Sequence, residues 1–165
     1  EALQLLSANL LTAVEDGSNL AAREAMLYGA MLAGQAFANA PVAAVHALAY
    51  PLGGHYHISH GLSNALMLPH VLRFNAEAAS GLYAELCAVL PAANGRPATA
   101  ANFITALEKL CTATGIEQTL QELKVPRADL PMLAKDAMLQ QRLLVNNPRE
   151  VTQADALQLY ESAWG

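Results

Sequence analysis

Four of the five histidines fall within the run His46-Ala-Leu-Ala-Tyr50-Pro-Leu-Gly-Gly-His55-Tyr-His57-Ile-Ser-His60. Neutral imidazole is a good ligand for divalent zinc or iron, and catalytic sites of that kind use about three protein ligands and one open position. One helical turn separates His46 from Tyr50, so a helix here places both on one face. His46 and His60 stand fourteen positions apart, and they converge only if the helices carrying them pack side by side. The spacing alone also fits helix-end and loop histidines with satisfied hydrogen bonds, and it is a weaker signal than H-E-x-x-H. His60 is placed in the first turn of a helix, where the positive end of the dipole disfavours imidazolium and keeps the ring fit to be a ligand. His55 and His57 alternate through a loop and are expected to face solvent. His70 follows Pro69 and is expected to pack and to hydrogen-bond at a kink.

These residues need helices to hold them, and the flanking sequence supplies the pattern. Leu3, Leu6, Leu10 and Val14 recur at helical spacing over residues 1–15, closed by Asp16-Gly17. This helix begins on the first residue without a cap, which missing upstream sequence would explain. Ser18 or Asn19 can cap a second helix running to about Phe37. Gly29 and Gly34 lower its helix propensity, but with Ala33 and Ala36 they let a neighbour approach closely, which predicts a central position in the bundle. Pro41 suits the first turn of a third helix, carrying His46 and Tyr50, that Pro51 and Gly53-Gly54 should end. A fourth helix is predicted from a Ser59 cap through Leu72, kinked at Pro69. Further helices are predicted over 80–90, 100–114 and from Pro126 through Met138, with a surface turn over 91–99. Asn146-Asn147-Pro148-Arg149 reads as a loop. Thr152 with Asp155 resembles a capping box ahead of a final helix through Trp164. No strand alternation, internal repeat or low-complexity linker interrupts this series. The expected fold is all-α, a multi-helix bundle formed by residues 1–165 as one domain.

The composition narrows the function. Net charge is -5 and no basic run stands out, so nothing points to nucleic acid or an anionic membrane. The apolar share of 54% against 14% charged is skewed for a small domain, and suggests a face that belongs against something else. Polar residues and Pro41 interrupt the longest apolar stretch, which reads as a buried helical pair and not a membrane span. No basic segment followed by an apolar one marks a signal peptide. Cys87 and Cys111 lack metal-ligand spacing and are expected to be reduced core thiols, which fits the cytoplasm.

The run His46-Ala-Leu-Ala-Tyr-Pro-Leu-Gly-Gly and the run His60-Gly-Leu-Ser-Asn-Ala-Leu-Met-Leu-Pro-His-Val-Leu-Arg-Phe-Asn closely resemble the iron-containing (group III) alcohol dehydrogenase family. Ala-Phe-Ala-Asn-Ala-Pro-Val before them matches too, as do Asn-Pro-Arg-Glu-Val-Thr and Leu-Tyr-Glu-Ser-Ala-Trp near the end. The resemblance covers essentially the whole chain and implies the C-terminal helical domain of a dehydroquinate-synthase-like two-domain dehydrogenase. It implies an N-terminal domain that binds NAD or NADP and lies outside this chain, with an active site in the cleft between the two. That absent partner would account for the apolar excess. It further implies a divalent metal, Fe2+ or Zn2+, held by His46, by His60 and by an upstream Asp-x-x-x-His segment that is not in this sequence. The implied activity is reversible hydride transfer between a small alcohol and its aldehyde or ketone, with the metal as Lewis acid. The intact protein is expected to be a homo-oligomer, and this chain by itself to be inactive.

Two departures from the family pattern stand out. Tyr50 occupies the position of a usual histidine near the nicotinamide, where a phenol can relay a proton but is a weaker base than imidazole. Ser59 replaces a usual proline and improves the helix cap. Phe37, Asn39 and the loop near Asn147 are further candidates to line the cleft. Two other readings are open: a metal-independent reductase of the maleylacetate type, in which the histidines bind substrate, and a helical interaction or metal-binding module without catalysis.

Overall fold

The computed structural model describes residues 1–91 and 95–165, and among them every regular element is helical. The helices are α1 (Ala2–Glu15), α2 (Leu20–Asn39), α3 (Ala44–Tyr56), α4 (His60–Cys87), α5 (Ala100–Ala113), α6 (Leu130–Ala137), α7 (Gln141–Leu144) and α8 (Gln153–Trp164). The surface turn expected over 91–99 includes residues 92–94, which lie outside the described residues. The chain divides into two compact units. One holds Glu1–Pro41 and Ala79–Gly115, the other Val42–Ala78 and Ile116–Gly165.

In the first unit, Asn19 caps α2 by accepting from the Ala22 amide at 3.0 Å. The small residue that matters is Gly29. A Cβ added there would sit 2.9 Å from the Leu6 side chain and 3.3 Å from that of Leu5, so α1 and α2 touch where α2 has no side chain. The expectation that α2 lies at the centre of the bundle does not hold. Only Ala22 and Gly29 of α2 are buried, and Leu20, Leu27, Tyr28, Met31 and Phe37 are exposed. The close approach is local to one glycine, because Gly34 faces open space. Two substitutions should therefore have opposite signs. Gly34→Ala is expected to stabilise by about 0.5–1 kcal/mol through helix propensity. Gly29→Val is expected to cost about 1–3 kcal/mol by overpacking against Leu6. Urea unfolding of the two variants beside the parent chain checks both.

The second unit contains the main core. Leu48, Leu52, Met67, Val71, Leu120, Leu130, Leu133 and Tyr160 are buried together. α3 presents Ala44, Ala47, Leu48, Pro51 and Leu52 to this core, positions that share one helical face. His46 and Tyr50 fall on another face and are half-buried. The last carbonyls of α8 find partners outside the helix: the Leu120 and Gln121 amides donate to Ala163 and Trp164. The Trp164 indole donates to the Val125 carbonyl at 2.9 Å.

At the other end of α8 the capping box forms as expected. Thr152 Oγ1 accepts from the Asp155 amide, and the Asp155 carboxylate accepts from the Thr152 amide and hydroxyl. Those bonds, the Thr152 hydroxyl first, hold the Asp155 carboxyl below its usual range. A depressed carboxyl stabilises the fold above its unfolded pKa, and that contribution is lost as pH falls through the folded value. Thr152→Ala should then cost about 1 kcal/mol at neutral pH. In urea unfolding, the gap to the parent should shrink at acid pH, once Asp155 is protonated in both states.

Two boundaries differ from expectation. α3 passes through Pro51 and Gly53-Gly54 and ends at His57, which adopts the left-handed conformation (φ 57°) while its amide donates to the Gly53 carbonyl at 3.1 Å. Pro51 only withdraws the N–H that would bond the Ala47 carbonyl. The Tyr160 hydroxyl, donating to the next carbonyl at Leu48, holds that turn from outside the helix. α4 likewise runs through Pro69 to Cys87, so the separate helix expected over 80–90 is its last turns. No helix among the described residues is long and apolar enough to cross a membrane.

Candidate metal centre

α3 and α4 bring His46, Tyr50 and His60 together. The two imidazole centroids lie 5.1 Å apart with their planes inclined by 55°. The Tyr50 ring is 6.4 Å from His46 and 6.1 Å from His60. Local sequence explains the placement. His46 and Tyr50 are one turn apart on α3, while Ala47 and Leu48 between them face the core. The left-handed His57 and the short Ile58-Ser59 link then reverse the chain, and the Ser59 carbonyl accepts from the Ser63 amide at 2.9 Å to open α4. His60 is thus the first residue of α4 and is exposed.

The spacing suits one divalent ion between the rings. A metal–nitrogen bond of about 2 Å puts the ion roughly 3 Å from each ring centre, and a tetrahedral angle then separates the centres by about 5 Å. The chemistry suits it too. Burial first, and the neighbouring His60 second, push the His46 pKa below its ordinary value, which favours the neutral form a metal requires. Among the described residues no third histidine, cysteine, aspartate or glutamate completes a metal-binding group.

His57 is exposed, as expected. His55 is exposed too, as expected, and its Nε2 also lies 2.6 Å from an Asp136 carboxylate oxygen on α6. Beside it the Tyr56 hydroxyl donates to Asp129 at 2.7 Å, and burial followed by that carboxylate pushes the phenol up to about 12. These two contacts tie the end of α3 to α6 and to Asp129 at its N-cap, across more than seventy residues of sequence that spacing could not bridge. His70 lines a groove with Arg73, Phe74 and Gln158. Asn147 forms a reciprocal amide pair with buried Asn75, at 2.7 and 2.9 Å. Arg149 lies over the Phe74 ring and donates to its carbonyl. The 146–149 loop is therefore fastened to α4 through these side chains. Phe37 is exposed on α2, and the Asn39 amide donates to the Gln35 carbonyl. Cys87 and Cys111 are free thiols, the first buried.

Sequence inspection missed Asn64. Its side-chain nitrogen donates to the His60 carbonyl at 2.8 Å and lies 3.4 and 3.2 Å from the two nitrogens of the His60 ring. The signal available was the four-residue spacing from His60, which puts both on one face of α4.

A sequence profile of the Fe-containing alcohol dehydrogenase family, C-terminal part, matches residues 1–164. The chain belongs to the iron-containing alcohol dehydrogenase family. It is 39% identical to long-chain-alcohol dehydrogenase 1 of Geobacillus thermodenitrificans, over 99% of this chain and 42% of that protein. The crystal structure of a 1,3-propanediol oxidoreductase superposes with a TM-score of 0.92 at 37% identity, over 99% of this chain and 43% of that one. Maleylacetate reductase from Agrobacterium tumefaciens superposes less well, with a TM-score of 0.81 at 27% identity, over 99% and 43%. The chain thus spans less than half the length of the relatives it matches, and across that span the all-helical architecture is the family's.

Proposed function

We propose that this chain is the metal-holding helical part of an NAD(P)-dependent alcohol dehydrogenase, which moves hydride reversibly between a small alcohol and its aldehyde or ketone. The observation that carries the reading is the 5.1 Å approach of the His46 and His60 rings, at the spacing two ligands of one ion need. A divalent metal held there would supply a Lewis acid for the alcohol oxygen.

The chain's own residues do the rest of the work assigned to it. His46 and His60 bind, His46 kept neutral by burial and by its neighbour. Tyr50, on the same face of α3, holds or relays a proton through its hydroxyl. The remaining ligands and the nucleotide cradle belong to an N-terminal domain, for which the length of the relatives leaves room. Free Cys87 and Cys111 suit a reducing cytoplasmic setting, and homo-oligomerisation of the whole protein is part of the proposal.

The likeness to maleylacetate reductase supports a second reading, in which the histidines bind substrate without metal. The higher identity and closer superposition of the propanediol enzyme favour the metal-dependent one. Titration of this chain with zinc and with iron(II) tests it. One ion bound per chain is expected, and no binding by either metal overturns the assignment of His46 and His60.

A further inference from the structure

Asn64 has two features that ordinary helix packing does not require. First, its nitrogen is nearly equidistant from His60 Nδ1 and Nε2, at 3.4 and 3.2 Å. An atom lying in the imidazole plane at equal distance from both nitrogens, on the side where they face each other, would collide with Cε1 between them. The amide therefore sits over the face of the ring. An N–H on an aromatic face is a weak contact, but it leaves the in-plane edge at both ring nitrogens clear, so whichever one carries the lone pair can bind metal. Second, Asn64 Oδ1 is buried and has no hydrogen-bond partner. The amide cannot simply be turned over to relieve this, because its nitrogen is the atom that donates to the His60 carbonyl.

A buried acceptor without a partner is a net cost to the fold. An asparagine serving only the stability of α4 would be better replaced by leucine, which fills the same space without the orphan oxygen. Such unsatisfied groups are uncommon and concentrate where function demands them. We propose that Asn64 is a positioning residue. Its amide, anchored on the His60 carbonyl, lies against the imidazole face and fixes the ring with a nitrogen edge free to bind metal. The inference rests on the metal reading given above. Other metal-binding histidines are oriented by a partner on the second ring nitrogen; here the face of the ring is held instead.

The test compares the 165-residue chain with Asn64→Leu and Asn64→Asp by zinc titration calorimetry, by urea unfolding, and by NMR of the side-chain amides without metal. In the parent chain the Asn64 amide protons should be shifted upfield by the ring current of His60, and the shift should vanish in His60→Leu. Asn64→Leu should bind zinc about 10- to 100-fold more weakly, the range found when a group orienting a metal-bound histidine is lost. Its resistance to urea should be equal to that of the parent or greater. Asn64→Asp, which lacks the N–H and brings negative charge to the ring face, should not rescue binding. Unchanged zinc affinity in Asn64→Leu, or amide protons with no upfield shift, overturns the positioning role alone. Absence of zinc binding in the parent chain overturns the metal reading itself, and the role of Asn64 with it.

Discussion

Tyr160→Ala is expected to remove about 3–5 kcal/mol from the second unit, a large part of the roughly 5–15 kcal/mol that holds a typical domain together. Tyr160 is fully buried and is among the largest side chains enclosed by the core of Leu48, Leu52, Leu130 and Leu133. Truncation opens a cavity there and also removes the hydroxyl that donates to the Leu48 carbonyl at 2.6 Å. That hydroxyl stays protonated at any ordinary pH, because burial first and the Asp136 charge second push its pKa upward. Tyr160→Phe separates the two contributions. It keeps the volume and loses one hydrogen bond, for an expected cost of about 0.5–1.5 kcal/mol. Urea denaturation of both variants checks the pair. A Tyr160→Ala cost no larger than that of Tyr160→Phe would show that the core closes over the gap and that packing is not what anchors α8. The consequence reaches the candidate site, since Leu48 lies between His46 and Tyr50 on α3.

The sequence made most of the helices legible because their signals are local. Asn19 and Thr152 cap where their side chains can reach the next turn, and the 3.6-residue period marks the faces of α1, α5 and α8. Pairing His46 with Tyr50 needed only helical spacing. What local rules misjudged were the helix breakers. Pro51 with Gly53-Gly54 looks like a stop, yet α3 runs through it. In α3, burial of Leu48 and Leu52 and the Tyr160 hydrogen bond more than offset the lost donor. Tyr160 is 112 residues from Leu48 in sequence. Separations of 81 and 73 residues likewise hid the His55–Asp136 and Tyr56–Asp129 contacts. α2 misled for a different reason. A row of small residues reads as a close-packing face, but only Gly29 is used that way, and the large apolar residues of α2 remain exposed. The convergence of His46 with His60 was readable from the family resemblance and not from spacing, because fourteen residues of helix, turn and helix can place two rings almost anywhere.

His46→Ala and His60→Ala should each lower the affinity for zinc or iron(II) by at least about 100-fold, beyond what the loss of an orienting neighbour costs. With two imidazoles at 5.1 Å as the ligands this chain offers, removing either leaves one ring, and a single histidine holds a divalent ion poorly. Tyr50→Phe is the control that separates binding from proton movement. It keeps the ring beside both histidines and removes only the hydroxyl, so metal affinity should stay within about 3-fold of the parent. In the complete two-domain dehydrogenase proposed above, the same change should lower turnover by about 10²-fold or more if the hydroxyl carries a proton, the usual magnitude of such a contribution. Tyr50→His, which restores the residue the family resemblance leads one to expect, should recover that loss near neutral pH, where imidazole accepts a proton far more readily than phenol. This 165-residue chain should oxidise no alcohol with NAD or NADP by itself, even when loaded with metal, because two histidines and a phenol hold neither the nucleotide nor a complete ligand set. Calorimetry on the alanine variants and turnover of the complete enzyme bear on different parts of the assignment. Retained affinity in His46→Ala removes the metal from this pair. Unchanged turnover in Tyr50→Phe leaves the metal in place and makes Tyr50 a wall of the pocket instead of a relay.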